Sequence, residues 1–204
     1  MGWAYYITDR RSCPIPLLRN IQIAIEAGVD FIQIREKDLS ARQLFSLVTE
    51  ARAIALHSST KILVNDRLDI ALAAGLDGIH LGQSSISPSQ IRGQVSRQDF
   101  LIGISTHSYQ EVRKTQDGSV DYITFGPVFF TPSKAVYGNP VGLKSLREVC
   151  RSAKIPVFAL GGVDRDNYGE CLLNGATGVA AIRLFQDPQN PSKEIVREIK
   201  EFGP

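Results

Sequence analysis

The chain has 204 residues, 43% of them apolar, which suits one domain with a sizeable core over residues 1–204. Lys plus Arg total 23 against 21 for Asp plus Glu, a net charge of +2 that gives neither nucleic acid nor an anionic membrane a reason to bind. No apolar run is long enough to span a bilayer, and the start MGWAYYITDR lacks the basic and apolar regions of a signal peptide.

The three cysteines, Cys13, Cys150 and Cys171, show no CxxC or zinc spacing. They read as reduced thiols of a cytoplasmic protein. A homo-oligomer is compatible with this composition.

In chain order, short apolar runs alternate with amphipathic stretches. Strands are predicted at Ala4–Thr8, Phe31–Arg35, Lys61–Val64, Gly78–Leu81, Leu101–Ser105, Tyr122–Phe125, Pro156–Leu160 and Gly178–Ile182. Helices are predicted at Ile15–Ala27, Ser40–Leu56, Leu68–Ala74, Ser87–Val95, Ser108–Lys114, Leu143–Ala153, Arg165–Leu173 and Ser192–Phe202. Eight strand–helix units in a chain of this length match a small (β/α)8 TIM barrel with parallel strands. A doubly wound open sheet is the alternative. A phrase recurs at the helix ends: EAGVDFIQI, AAGLDGIHL, DGSVDYITF and NGATGVAAI. Each carries a Gly near the helix end, a short turn and then a strand.

In such a barrel the chemistry sits on the loops that follow the strands. After the second strand, Gln33, Arg35 and Lys37 alternate and so share one face. They suit a phosphate ligand, or else form a surface ion-pair set with Glu36 and Asp38. After the third, Asn65 precedes Asp66, which reads as a magnesium ligand or as a helix cap. After the fourth come His80, Gln83, Ser84 and Ser85; a His in an apolar strand is more often a core residue than a catalyst. After the fifth, Ser105 is placed to bond a phosphate oxygen. His107 lies nearby, but no G-x-S-x-G elbow supports a triad.

The stretch DYITFGPVFFTPSK, from Asp121 to Lys134, is the one around which the rest is organised. It is a buried strand that turns at Gly126 and Pro127 into a long loop with Thr131, Ser133 and Lys134. The loop reads as a lid or binding loop, or as a solvated surface loop. Gly161 and Gly162 after the seventh strand, with Ile182 and Arg183 after the eighth, sit where this fold builds a phosphate cradle.

YYITDR, QIREK, VND, GIHLGQ, GISTHS, DYITFGPVFFTPSK, ALGGV and GVAAI occur in an order that resembles the thiamine phosphate synthases and their TenI-like thiazole tautomerase relatives. The resemblance covers nearly the whole chain. It implies a transferase that joins an aminopyrimidine methyl diphosphate to a thiazole phosphate and releases pyrophosphate. It implies that Gln33, Arg35, Lys37, Asn65, Ser105 and Lys134 hold the pyrimidine diphosphate, with Ile34 and Glu36 also among the substrate-binding residues. Within that set, Arg35, Lys37, Ser105 and Lys134 would carry the catalysis. Asp66 would bind Mg2+. Thr131, Pro132, Ser133, Gly162, Ile182 and Arg183 would hold the thiazole phosphate.

Three departures stand out. Ser85 occupies the place of a second magnesium-ligating Asp. Arg183 stands where synthases usually carry a small residue. SSISPSQIR looks more like the tautomerase branch, although that branch's proposed catalytic His is replaced here by Pro127. A non-catalytic binder of thiazole or thiamine phosphates is a third reading.

Overall fold

A computed structural model describes residues 2–115, 117–131, 139–186 and 192–202. Eight strands, β1 (Trp3–Ile7), β2 (Phe31–Ile34), β3 (Lys61–Asn65), β4 (Gly78–Leu81), β5 (Leu101–Thr106), β6 (Tyr122–Phe125), β7 (Val157–Leu160) and β8 (Gly178–Ala181), close into one parallel barrel in sequence order. β1 pairs with β8 from Trp3↔Gly178 to Tyr6↔Ala181, which seals the sheet. The strands are short and apolar because both faces are covered.

Helices α1 (Leu17–Glu26), α2 (Ala41–Ala55), α3 (Leu68–Ala73), α4 (Pro88–Arg92), α5 (Tyr109–Lys114), α6 (Gly142–Ser152), α7 (Tyr168–Leu173) and α8 (Ser192–Glu201) follow the strands in turn. α2 starts with a capping box, Ser40 and Gln43 bonding each other's backbone amides. Most helices are shorter than the sequence pattern predicts, α1, α4 and α7 by the most, and α4 and α7 show local causes. α4 stops at Arg92, before Gly93. α7 begins at Tyr168 because Asp164 and Asn167 bond the local amides of Asp166 and Asp164, a turn that competes with the helix.

The recurring phrase has a structural cause. Gly28, Gly75, Gly118 and Gly175 take left-handed conformations that end the preceding helix or turn. The residue just before each even-numbered strand then binds the preceding odd strand. Asp30 accepts the Ala4 amide at 2.9 Å, Asp77 that of Ile62 at 2.8 Å, and Asp121 that of Ile102 at 2.7 Å. In the fourth copy Thr177 Oγ1 accepts from Val157 at 3.2 Å. The barrel is thus four strand pairs, each tied at its N-terminal end by one side chain.

The interior has two levels. An aromatic plug of Tyr5, Phe31, Tyr122 and Phe158 fills the lower barrel, with ring centroids 5.3–5.8 Å apart. Space for the Tyr122 ring comes from Gly103, where a Cβ would stand 2.0 Å from Tyr122 Cζ. A larger apolar layer lies between strands and helices and includes Ile32, Ile34, Val64, Ile79, Ile102 and Ile123. Together the two levels pack both faces of the strands beneath the mouth.

Candidate active site at the barrel mouth

Above the aromatic plug lies a connected polar level. Gln33 Nε2 donates to Asn65 Oδ1 at 3.0 Å, and the Tyr5 hydroxyl donates to Gln33 Oε1 at 3.0 Å. The Tyr5 and Tyr122 hydroxyls are 2.9 Å apart. Tyr122 reaches His80 Nδ1 at 3.1 Å, and His80 Nε2 reaches Ser105 Oγ at 3.0 Å. Six side chains from six strands thereby link the β3 edge of the mouth to the β5 edge. Burial, with the nearby Arg35 charge as the second cause, lowers the pKa of His80 to about 3. The ring is therefore neutral near pH 7. Among the described residues no carboxylate bonds either nitrogen, whose partners are hydroxyls, so Ser105 and His80 lack the acid of a hydrolase triad.

The cations stand on the rim. Thr8, at the end of β1, accepts the Arg35 amide at 3.0 Å and donates to Glu36 at 2.6 Å. Glu36 also accepts the Arg10 amide on both oxygens and the Arg10 guanidinium at 3.3 Å. Arg10 grips Asp38 with two parallel bonds, and Arg11 adds a third at 2.6 Å. Those bonds hold Asp38 well below the usual carboxylate range.

The ion-pair set therefore exists, but its cations come from the first loop. Arg35 and Lys37 have no ion-pair partner among the described residues. Ile34 points into the outer apolar layer and Glu36 is buried and saturated, so each has only backbone to offer a ligand.

Lys37, Asn65 and Asp66 share a cleft of about 270 Å³ with Ile34, Glu36, Leu39, Leu44 and Arg67. Asp66 is exposed and holds φ 62°, a left-handed conformation that costs a non-Gly residue roughly 1–2 kcal/mol. Its amide is fixed to the His80 carbonyl at 3.0 Å. The cap alternative is not realised, since Arg67 is the N-cap residue of α3 and no side chain caps it.

The donors fit a magnesium ion that arrives with its anion. One free carboxylate is enough when phosphate oxygens and water complete the shell. A dedicated cage is absent: no group of three His, Cys, Asp or Glu suited to a metal occurs among the described residues. Ser85 Oγ accepts the Gly82 amide at 2.8 Å and shapes the β4–α4 turn.

On the far side, the chain after β6 lies over the turn after β7. Val128 and Phe129 donate to Leu160 and Gly161 at 2.8 and 2.9 Å. A Cβ on Gly162 (φ 66°) would fall 2.6 Å from the Phe130 carbonyl oxygen, so only glycine fits. Gly162 is thereby brought against the segment leading to Thr131. Ile182 packs on the inner core, and Arg183 is exposed at the start of a 3-10 turn, Arg183–Phe185. Pro132, Ser133 and Lys134 lie outside the described residues.

A family model described as thiamine monophosphate synthase matches residues 4–185. The chain belongs to the thiamine monophosphate synthase family. It is 43% identical over 186 residues to a putative thiamine-phosphate synthase of Geobacter sulfurreducens, covering 90% of this chain and 87% of that one. It is 34% identical to a thiamine-phosphate synthase of Clostridium novyi, covering 94% and 95%. In structure it resembles a thiamine phosphate pyrophosphorylase from Pyrococcus furiosus, with TM-score 0.88, 30% identity and coverage of 99% and 97%.

Within this family fold, the sequence signals missed the inward-facing phenols. Tyr5 and Tyr122 sit in apolar strands and read as core; only the alternation of buried residues with Gln33 and His80 at the same level betrays them. His107 is not Ser105's partner, because its Nδ1 bonds the Gly126 carbonyl at 2.5 Å. Burial pushes the thiols of Cys150 and Cys171 up to about 12, so neither is a nucleophile near pH 7. No helix among the described residues is long and apolar enough to cross a membrane.

Proposed function

We propose that the chain is a thiamine phosphate synthase, joining 4-amino-2-methyl-5-pyrimidinylmethyl diphosphate to a thiazole phosphate with release of pyrophosphate. One observation carries this reading. Among the described residues Arg35 and Lys37 have no counterion at the mouth, because Arg10 and Arg11 take the carboxylates on either side of Lys37. Lys37 shares its cleft with the Asp66 carboxylate, and Arg35 stands on the same rim close enough to act on His80; cations so placed suit a diphosphate with its metal ion. A thiazole tautomerase has no diphosphate to hold, and Pro127 stands where that branch places its catalytic His.

The reaction begins with cleavage of the C–O bond to the diphosphate, which leaves with both bonding electrons. The pyrimidine-stabilised carbocation is captured by the thiazole nitrogen. No side-chain nucleophile is needed, which accords with a neutral His80 and an unactivated Ser105. Arg35 and Lys37 stabilise charge growing on the departing oxygens, with Lys134 as a third cation. Asn65 and Ser105 orient the anion. Asp66 would hold Mg2+, which supplies further charge neutralisation on the diphosphate. Gly162, with Thr131 to Ser133, Ile182 and Arg183, would hold the thiazole phosphate across the mouth. The loop after Phe129 would keep water from the cation. Three free thiols support a reducing compartment, the cytoplasm.

The purified chain is given the pyrimidine diphosphate, a thiazole phosphate and magnesium chloride. Thiamine phosphate and pyrophosphate appearing in equal amounts support the synthase. Isomerisation of the thiazole phosphate alone, or binding without turnover, contradicts it.

A further inference from the structure

The polar level of the barrel is a hydrogen-bond chain with one direction at a time. Each member has a fixed number of hydrogens: one on each phenol, one on Ser105 and one on a neutral imidazole. The Tyr5 hydrogen is committed to Gln33 Oε1. At 2.9 Å, the Tyr5 and Tyr122 oxygens must have a hydrogen between them, or two lone pairs would face each other; Tyr122 must supply it. His80 Nδ1, 3.1 Å from the Tyr122 oxygen and 3.4 Å from that of Tyr5, must then carry the ring's hydrogen, which leaves Nε2 bare and makes Ser105 its donor. In this direction Ser105 has no hydrogen for a ligand.

The opposite direction uses the same atoms. If Ser105 donates outward, His80 Nε2–H can donate to Ser105 and Nδ1 accepts from Tyr122. Tyr122 then accepts from Tyr5, and Tyr5 accepts from the Gln33 amide, turned over. Both directions hold the same protons and the same net charge. They differ by one imidazole tautomer, the hydroxyl rotations and the two amide orientations. Burial leaves few alternatives, since Tyr5, Gln33, His80 and Tyr122 are each at most 3% exposed.

We propose that His80 is a positioning residue whose tautomer couples anion binding at Ser105 to the orientation of the Gln33 amide, through Tyr122 and Tyr5, across the barrel. The proposal rests on the diphosphate site argued above. An anion at Ser105 calls its hydrogen outward and reverses the chain. Gln33 and Asn65 then turn, so that donors and acceptors on the β2–β3 side of the mouth are reset by a ligand on the β5 side. Ser105 and Gln33 would otherwise read their ligands independently.

The test uses the full chain labelled with 15N, inorganic pyrophosphate with magnesium chloride as probe, and calorimetry in parallel. Long-range 1H–15N spectra report which nitrogen of each of the three histidines is protonated, and a His80→Gln variant assigns the His80 signals. The expected result is protonated Nδ1 without pyrophosphate and protonated Nε2 at saturation, with a shift in the Gln33 side-chain amide. In Tyr5→Phe, which removes the oxygen linking Gln33 to the ring, pyrophosphate should still bind but the Gln33 shift should be lost. Binding with an unchanged His80 tautomer, or an equal Gln33 shift in Tyr5→Phe, overturns the coupling alone. No binding heat in the native chain contradicts the diphosphate site itself, and the coupling with it.

Discussion

Arg10 and Asp38 form a two-pronged ion pair across the first two loops of the mouth, Nη1 to Oδ1 at 2.5 Å and Nη2 to Oδ2 at 2.6 Å. Arg10 also covers Glu36, so both acids flanking Lys37 are occupied. Replacing Arg10 by Ala strips Glu36 of its guanidinium and leaves Asp38 with Arg11 alone, so part of this negative charge becomes available to Arg35 and Lys37. The Km for the pyrimidine diphosphate should then rise on the order of tenfold, the size of one lost charge-assisted contact. Asp38→Asn added to Arg10→Ala should recover part of that loss. A drop in kcat with unchanged Km, and no recovery in the double variant, would count against this role.

Asp66 has no ion-pair partner among the described residues, and Ser85 stands where the resemblance to the synthases implies a second acid. Asp66→Asn tolerates the same left-handed backbone and removes only the charge. It should raise the magnesium concentration for half-maximal rate. Ser85→Asp should lower it. An unchanged magnesium dependence in both variants would remove metal binding from this cleft.

His80 gives a pH signature. Its pKa is about 3 when folded and near 6.5 when unfolded, so the unfolded chain binds the extra proton between those values. Stability should therefore rise with pH through this window and be lost as pH falls from 6.5 toward 3. Between pH 6.5 and 4.5 the loss from this ring should be roughly 2–3 kcal/mol. Denaturant midpoints for native chain and His80→Gln across that range check this. The variant should show a flatter slope, and parallel slopes would refute the assignment.

Much of this architecture is legible in the sequence, for identifiable reasons. Asp30, Asp77 and Asp121 recur because each ties one strand pair, so the repeat marks the fold directly. Gln33 is turned into the barrel as the alternation predicts, but β2 ends at Ile34, and Lys37 lies in a cleft with Ile34 and Glu36. Arg10 was not legible, because its role depends on two loops that are adjacent only once the barrel closes. The phenols of Tyr5 and Tyr122 were hidden for a related reason: an apolar ring that buries its hydroxyl among polar partners looks like core until the partners are known.

The strand ties themselves can be tested away from the mouth. Asp77→Ala strips the Ile62 amide of its side-chain acceptor at the opposite end of the barrel. Stability should fall by about 1–3 kcal/mol, the cost of a buried donor left unsatisfied. Thermal or denaturant unfolding measures the loss, and the steady-state constants of the folded variant should match the native ones.

Turnover of Arg35→Ala and Lys37→Ala in the thiamine phosphate assay tests the electrostatic account most directly. Each substitution removes a cation at the mouth that has no counterion among the described residues. A fall in kcat of about 10²–10³-fold in each, with the fold intact, is the result expected of groups that stabilise a departing diphosphate. Turnover within twofold of the native enzyme in both variants would contradict it.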